Sequence, residues 1–225
     1  MLTSRSVADL LDAFSSPDPT PGGGSAAALA GALGAALLAM VAGLPKTRTG
    51  VPAERQALDT ARAELLGLQR TLLELVDRDA AAYDLVVAAF RKPKATDDEK
   101  SLRSAAIQDA MRVATEVPVE TFRTAAAAMV AGRTVAASAN PSAASDIFVG
   151  SQALWLSMNG ALANVEINIG SLKDAALVDR LTKDLRAAHA EAAAALPEIS
   201  MTPELADLTR KASLRLGGHG HFPED

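Results

Sequence analysis

"PTPGGGSAAALAGALGAALLAMVAGL", residues 19–44, opens on prolines and three glycines and then runs to Leu44 without a charge. It reads as a membrane span, a phosphate loop or the wall of a ligand site. Ala26 to Leu44 is long enough to cross a bilayer. Alanine and glycine dominate it, however, and these partition into lipid weakly compared with leucine, isoleucine or phenylalanine. The spacing is more telling. Ala27, Gly31, Ala35, Ala39 and Gly43 recur every fourth residue, so one helix face carries a stripe of small side chains against which another backbone can pack closely. Leu29, Leu33, Leu37, Met40 and Leu44 add bulk beside it, which predicts a helix buried nearly all round in a bundle, its stripe also available as a dimer seam.

The entry "PTPGGGS" brings glycines to the helix start, where unpaired backbone N–H groups and the positive end of the helix dipole favour an anion. It lacks the lysine of a Walker loop, and no strand precedes it as a dinucleotide fold requires. Ser25 is expected as the N-cap. Gly22, Gly23, Gly24 and Ser25 are therefore either a ligand cradle or a capped turn.

The 225 residues suffice for one domain spanning 1–225 with a core of its own. Aromatics are only 3% of the chain, so alanine and leucine must do most of the packing. A formal charge of −5 and a pI near 5.3 argue against nucleic acid as partner. The absence of cysteine removes disulfides and thiolate nucleophiles. With no HExxH pattern, no metal site is expected. "MLTSRSVADLLDAF" has no apolar run fit for a secretory signal. A cytoplasmic protein with no membrane partner is the expectation.

Nearly every segment has helical periodicity, so the fold class is all-α: long antiparallel helices around the buried Ala/Gly-rich one. A short helix covers Ser6 to Phe14, and "LPKTRTGVP" forms the loop after the buried helix. From Ala53 to Phe90 a stripe runs Leu58, Ala61, Leu65, Leu68, Leu72, Leu75, Asp79, Ala82, Val86, Ala89. Thr96 with Glu99 forms a capping box for a helix toward Glu116, and Pro118 suits the first turn of another. Ser142 or Ser145 is expected to cap a helix reaching Ile169, and a further helix ends near Leu196 before Pro197. Thr202, Pro203 and Glu204 introduce a terminal helix that fades into a flexible tail at about 217–225.

Asp79 is the most informative residue, because it interrupts an apolar stripe. A carboxylate there must find partners or have its pKa raised, and a raised pKa suits general acid/base work. The equal alternative is a structural aspartate that pairs with an arginine or caps a neighbouring helix. Tyr83 lies one turn on, on the same side. Between Asp146 and Asn168 one face bears the bulky residues Phe148, Trp155, Met158, Leu162, Val165 and Ile169. The other bears Asp146, Gly150, Ala153, Ser157, Ala161, Asn164 and Asn168, a small polar row with room for a ligand and amides to orient it, or amides that bond across a helix interface. Lys94, Lys46 and Arg48 sit at helix ends or in loops, open to an anionic substrate or to water. His189 lies in a charged helix, and His219 and His221 lie in the glycine tail.

Four pieces in order, "PTPGGGSAAALAGALGAALLAMV" (19–41), "DRDAAAYDLVVAAFRKPKATDDEK" (77–100), "SD" (145–146) and "NVEIN" (164–168), resemble the cyclodeaminase/cyclohydrolase family of folate enzymes. The resemblance implies a homodimer of helical bundles whose substrate is a tetrahydrofolate derivative, with no permanently bound cofactor. It implies either hydrolysis of 5,10-methenyltetrahydrofolate to 10-formyltetrahydrofolate, or cyclisation of 5-formimidoyltetrahydrofolate with loss of ammonia. On that pattern Asp79 is the proton-transfer carboxylate and Tyr83 helps position it. Gly22 to Ser25 and Lys94 hold anionic or carbonyl groups of the folate, and Asp146, Asn164 and Asn168 orient the pterin or line the wall near the dimer seam. Where relatives carry a lysine run after the buried helix, this chain reads "GLPKTRTGVP" (43–52), leaving Lys46 and Arg48 as stand-ins for the folate-tail contact.

Overall fold

The run of small residues forms a helix, α2 (Gly23–Ala42), and its glycines record how closely it is approached. A Cβ added at Gly31 would lie 2.5 Å from Ser157 Oγ, and one at Gly34 would lie 2.6 Å from the Gly150 carbonyl oxygen. Neither position has room for a methyl group, so a second helix packs closely there; Gly31 belongs to the predicted stripe, whereas Gly34 lies beside it and Gly43, at the end of the stripe, meets the Arg62 side chain instead. The computed structural model describes residues 1–200, 202–204, 206 and 207. The expected tail at 217–225, with His219 and His221, lies outside the described residues.

The other helices are α1 (Val7–Ser15), α3 (Pro52–Phe90), α4 (Asp97–Ser138), α5 (Ala144–Ile169) and α6 (Ala175–Ser200), with a 3-10 turn at Pro141–Ala143; α3, α4 and α5 pack against α2, and α6 packs on α4 and α5. The order of contacts along α2 gives its direction against α5. Gly34 meets Gly150 and Leu154, Gly31 meets Ser157, Gly160 meets Ala27, and Gly23 meets Asn164, so the two run antiparallel. Among the described residues there is no strand, only an isolated antiparallel bridge between Thr47 and Ala139.

The stripe on α3 is the seam it was read to be: Leu58, Leu65, Leu72 and Leu75 are fully buried, and Ala61, Ala82 and Ala89 nearly so. Phe122 and Met129 of α4 and Leu154 and Met158 of α5 complete this core. Each large side chain so buried contributes about 1.5–3 kcal/mol relative to leaving it exposed. Arg78 pairs with Glu120 at 2.7 Å across α3 and α4, while Arg123–Asp184 and Arg133–Glu198 tie α4 to α6. Asp77 straps down the N-terminus by accepting bonds from the Leu2 N–H and, at 2.6 Å, the Thr3 hydroxyl. Burial works against its ionisation, but those donors outweigh it and hold the carboxyl below the usual range.

Several local expectations are corrected. α2 is not buried all round: Leu33 and Met40, two turns apart on the face that its neighbours do not cover, stay exposed. The capping box of Thr96 and Glu99 is present, but α4 continues through Pro118 to Ser138 rather than restarting there. α6 likewise continues through Pro197 to Ser200. Neither Ser142 nor Ser145 caps α5, whose N-cap is Ala143; Asn140 instead accepts from the Ser142 N–H and caps the 3-10 turn. By length and composition α2 could cross a membrane, yet most of it is buried inside the protein.

Candidate functional site

At the N-terminal end of α2 lies a cavity of about 370 Å³, within the usual range for small-molecule sites. Gly22, Gly23 and Gly24 form one wall after a cis Thr20–Pro21 peptide. Asp79, Tyr83 and Val86 of α3 face it, Met111 and Ala114 of α4 close another side, and Asn164, Ile167 and Asn168 of α5 complete the lining.

Asp79 is held by the first turn of α2. The Ser25 hydroxyl, on a residue with no exposed surface, donates to Asp79 Oδ2 at 2.8 Å, and the Ser25 backbone N–H donates to the same carboxylate. A Cβ at Gly24 would fall 2.1 Å from Asp79 Oδ1, so only glycine leaves the carboxylate its place. Ser25 is therefore not the expected N-cap. Gly22 takes that position, its carbonyl accepting the first helical bond from Ala26, and Ser25 lies inside the first turn. The two readings of Asp79 meet in one geometry: it caps a neighbouring helix and it lines the cavity. Burial raises its pKa above the ordinary carboxylate value, and the bonds from Ser25 oppose that rise.

Tyr83, one turn along α3, stands at the rim and is 42% exposed. Asn164 donates to the Gly160 carbonyl of its own helix at 2.8 Å. Asn168 donates across the interface to the Ala114 carbonyl at 2.7 Å. That carbonyl is the one a residue at 118 would normally satisfy, and Pro118 has no N–H to offer. Proline on α4 thus orphans an acceptor at the cavity wall, and an amide from α5 fills it.

The remaining expected site residues lie elsewhere. Lys94 borders a separate groove with Lys100, Arg103 and Lys173. Lys46 and Arg48 line a third hollow beyond the C-terminal end of α2, about 30 Å of helix away. Arg48 is engaged there, donating to Glu204 at 2.8 Å and to the Ala136 carbonyl at 3.1 Å. Asp146 begins α5, roughly 27 Å of helix from Asn164. Of the small row on α5, Gly150, Ser157 and Ala161 are buried, the first two against the glycines of α2; only Asn164 and Asn168 reach the cavity. The sequence reading missed Pro19, Thr20, Met111, Ala114 and Ile167, which build the walls but carry no chemical signature. Asn168 had a signal in Pro118, legible only with both helices in view.

Residues 6–187 match the family model described as formiminotransferase-cyclodeaminase. Over 198 residues the chain is 36% identical to the methenyltetrahydrofolate cyclohydrolase of Methylorubrum extorquens, covering 86% of this chain and 93% of that protein. It is 32% identical to the formimidoyltransferase-cyclodeaminase of Rattus norvegicus over 82% of this chain, but spans only 35% of that longer protein. The crystal structure of formiminotetrahydrofolate cyclodeaminase from Thermotoga maritima superposes with a TM-score of 0.81 over 93% of this chain and all of that one, at 20% identity.

Proposed function

This chain belongs to the formiminotransferase-cyclodeaminase family, and we propose that within it the protein is a methenyltetrahydrofolate cyclohydrolase, converting 5,10-methenyltetrahydrofolate and water to 10-formyltetrahydrofolate. The observation that carries the mechanism is the half-buried Asp79 carboxyl facing the glycine-walled cavity. The cyclohydrolase assignment leans on the relative that this chain matches over nearly its whole length.

The substrate's reacting carbon sits between two nitrogens and carries positive charge. Ionised Asp79 beside it stabilises that cation in a pocket where water screens little. As water adds to the carbon, Asp79 takes the proton and a tetrahedral carbinolamine forms. Asp79 returns that proton to N5 as the C–N5 bond breaks, and the carbinol hydroxyl releases its own proton to solvent as its oxygen becomes the carbonyl of the formyl group left on N10, so one proton is released overall. A carboxyl whose pKa is raised by burial suits both transfers better than one in bulk water. Asn164 and Asn168 orient the pterin, Tyr83 guards the rim, and the bared first turn of α2 receives carbonyl groups of the substrate. The tetrahydrofolate derivative is substrate, and the cycle as written needs no resident cofactor.

The second reading, cyclisation of the formimidoyl substrate with loss of ammonia, is supported by the named activity of the longer relatives and uses the same carboxyl. Following methenyltetrahydrofolate absorbance on purified protein separates the two. Decay faster than buffer supports hydrolysis. Growth of the signal from 5-formimidoyltetrahydrofolate, with ammonia released, supports the deaminase. If neither occurs while folate still binds, the module is non-catalytic.

The proposal includes a homodimer in the cytoplasm, built as one domain. α2 leaves Leu33 and Met40 exposed and its neighbour α5 leaves Val149 and Leu156 exposed, an apolar surface suited to a second copy. Leu156→Glu is expected to convert a dimer to a monomer in sedimentation analysis.

A further inference from the structure

α5 is the wall between two hollows. Asn164, Ile167 and Asn168 turn to the catalytic cavity, while Leu162, Val165, Glu166 and Ile169, at helical spacing on the opposite side, border a second hollow against α6. It measures about 220 Å³ and shares no lining residue with the first. Its floor is apolar: Val165, Leu181 and Leu185 are buried, and Leu162 and Ile169 pack against the same core. His189 ends the lining on α6, its ring stacked on Phe122 with 6.3 Å between centroids and tilted against Trp155 at 5.3 Å. Ion pairs tie α6 to α4 through Arg123–Asp184 and Arg133–Glu198, whereas none joins it to α5 among the described residues.

Two opposite charges border the hollow, Glu166 on α5 and Arg186 on α6, and both are exposed. Neither has an ion-pair partner among the described residues, and they are not paired with each other. Other charges nearby on α6 are already matched: Lys183 pairs with Asp179 at 2.7 Å, and Asp184 with Arg123 at 3.1 Å. The Thr182 hydroxyl, also on the lining, is spent on the Val178 carbonyl at 2.8 Å. The recess is therefore apolar within and carries one anion and one cation at its edge.

Size and charge together select an occupant. At about 30 Å³ for each non-hydrogen atom, the share of a water molecule in the liquid, the hollow holds about seven such atoms. That is too few for a folate and enough for one apolar side chain, which gains by leaving water for this floor. A lone carboxylate at the edge would meet Arg186 but be repelled by Glu166, and a lone amine would meet the reverse. A molecule with both groups on one carbon, next to an apolar side chain, satisfies floor and edge at once. We infer that the hollow between α5 and α6 is a binding site for a free apolar α-amino acid. Its side chain lies among Leu162, Val165, Leu181 and Leu185, its carboxylate on Arg186 and its ammonium on Glu166. The inference goes beyond the folate chemistry and does not depend on it.

Trp155 is the chain's one tryptophan and lies against His189, so its fluorescence reports what fills the hollow. Titrating the full-length protein with L-leucine is expected to give a saturable change with a Kd of about 1 mM. Glycine, which has the head group without the side chain, is expected to give none. 4-Methylpentanoate lacks the ammonium and 3-methylbutylamine lacks the carboxylate; each is expected to bind about fourfold more weakly than leucine, the scale of one exposed ion pair. Two variants then exchange these preferences. Arg186→Gln is expected to abolish the advantage of leucine over the amine alone, and Glu166→Gln its advantage over the carboxylate alone. Both side chains are exposed, so neither change threatens the core. Three results overturn the site: equal binding of leucine and its two analogues by the wild type, preferences that survive both variants, or no saturable response at about twenty times the expected Kd. Trp155 emission that follows protein concentration and ignores leucine also overturns it, and assigns the face to a second copy of the chain.

Discussion

At the start of α2, Asp79 lies against the first helical turn and its pKa is raised; beyond the end of the same helix, Glu54 is drawn down to about 2. Both carboxylates accept hydrogen bonds, so bonding alone does not separate them. Glu54 collects the Thr47 hydroxyl at 2.6 Å, the Thr49 hydroxyl and N–H at 2.9 Å each, and the Gly50 N–H at 3.2 Å, with water at hand. Asp79 has two donors from one residue, Ser25, and gives up solvent to reach them. A carboxylate locked as an anion is a clasp, whereas one whose charge is contested can hand a proton on. Arg55 reinforces the division by donating to the Ala42 and Leu44 carbonyls at the negative end of α2. The loop end is spent on holding the chain, and the glycine end is left open to a ligand.

The sharpest break of that contrast is Asp79→Asn. Asparagine retains an acceptor for Ser25 but moves no proton, so kcat is expected to fall by about 10²–10⁴. The sign for stability follows from the raised pKa. The folded state prefers the protonated acid, so ionisation lowers stability as pH rises from the unfolded value, near 3.9, through the folded one. Above the folded value that penalty is fully present, and the asparagine variant lacks it. Its Tm should equal or exceed that of the wild type; a marked fall in Tm with kcat retained would reduce Asp79 to a structural cap.

Gly24→Ala comes next. The added Cβ would overlap Asp79 Oδ1, so the carboxylate must swing away while the helix gains propensity. About a hundredfold loss of kcat with unchanged far-UV circular dichroism is expected, the scale of an ångström's misplacement. Ser25→Ala removes the hydroxyl that opposes the rise in pKa. About tenfold lower kcat is expected, the worth of one hydrogen bond to a charged group, with the acidic limb of the pH–rate profile moved upward. An unmoved limb would mean Asp79 does not set that profile. Pro118→Ala acts more gently: the restored N–H competes for the Ala114 carbonyl and loosens Asn168, so KM should rise about threefold with kcat unchanged, the scale of a neutral hydrogen bond.

These positions also mark what the sequence could disclose. The spacing of four on α2 and of seven on α3 are physical periods, and the structure buries most of the faces they specify, leaving Gly43 exposed and Leu68 and Val86 half-buried. Asp79 was legible because it broke one of them. Ser25 was misplaced because three glycines without side chains let the helix begin earlier than a cap rule expects. Lys46, Arg48 and Lys94 were ambiguous for a different reason. A loop cation's partner comes from distant chain, as Glu204 does for Arg48, and no local pattern announces it. Pro118 misled for the same reason, since the amide that relieves the break lies on α5.

The smallest effect on catalysis is expected at the other end of α2, and it sharpens the contrast because it is confined to stability. Glu54→Gln should leave kcat and KM as they are, since Glu54 faces the loop of Thr47 to Gly50 and not the cavity. The folded pKa of about 2 lies below the ordinary 4.5, so the ionised side chain stabilises the fold above the unfolded value. That contribution disappears as pH falls from about 4.5 through about 2. The Tm difference between wild type and Glu54→Gln should therefore be greatest near neutrality and close as the pH is lowered through that window. A Glu54→Gln variant that lost turnover as Asp79→Asn does would erase the distinction between the two ends, because a clasp at the loop would then be serving the chemistry at the glycines.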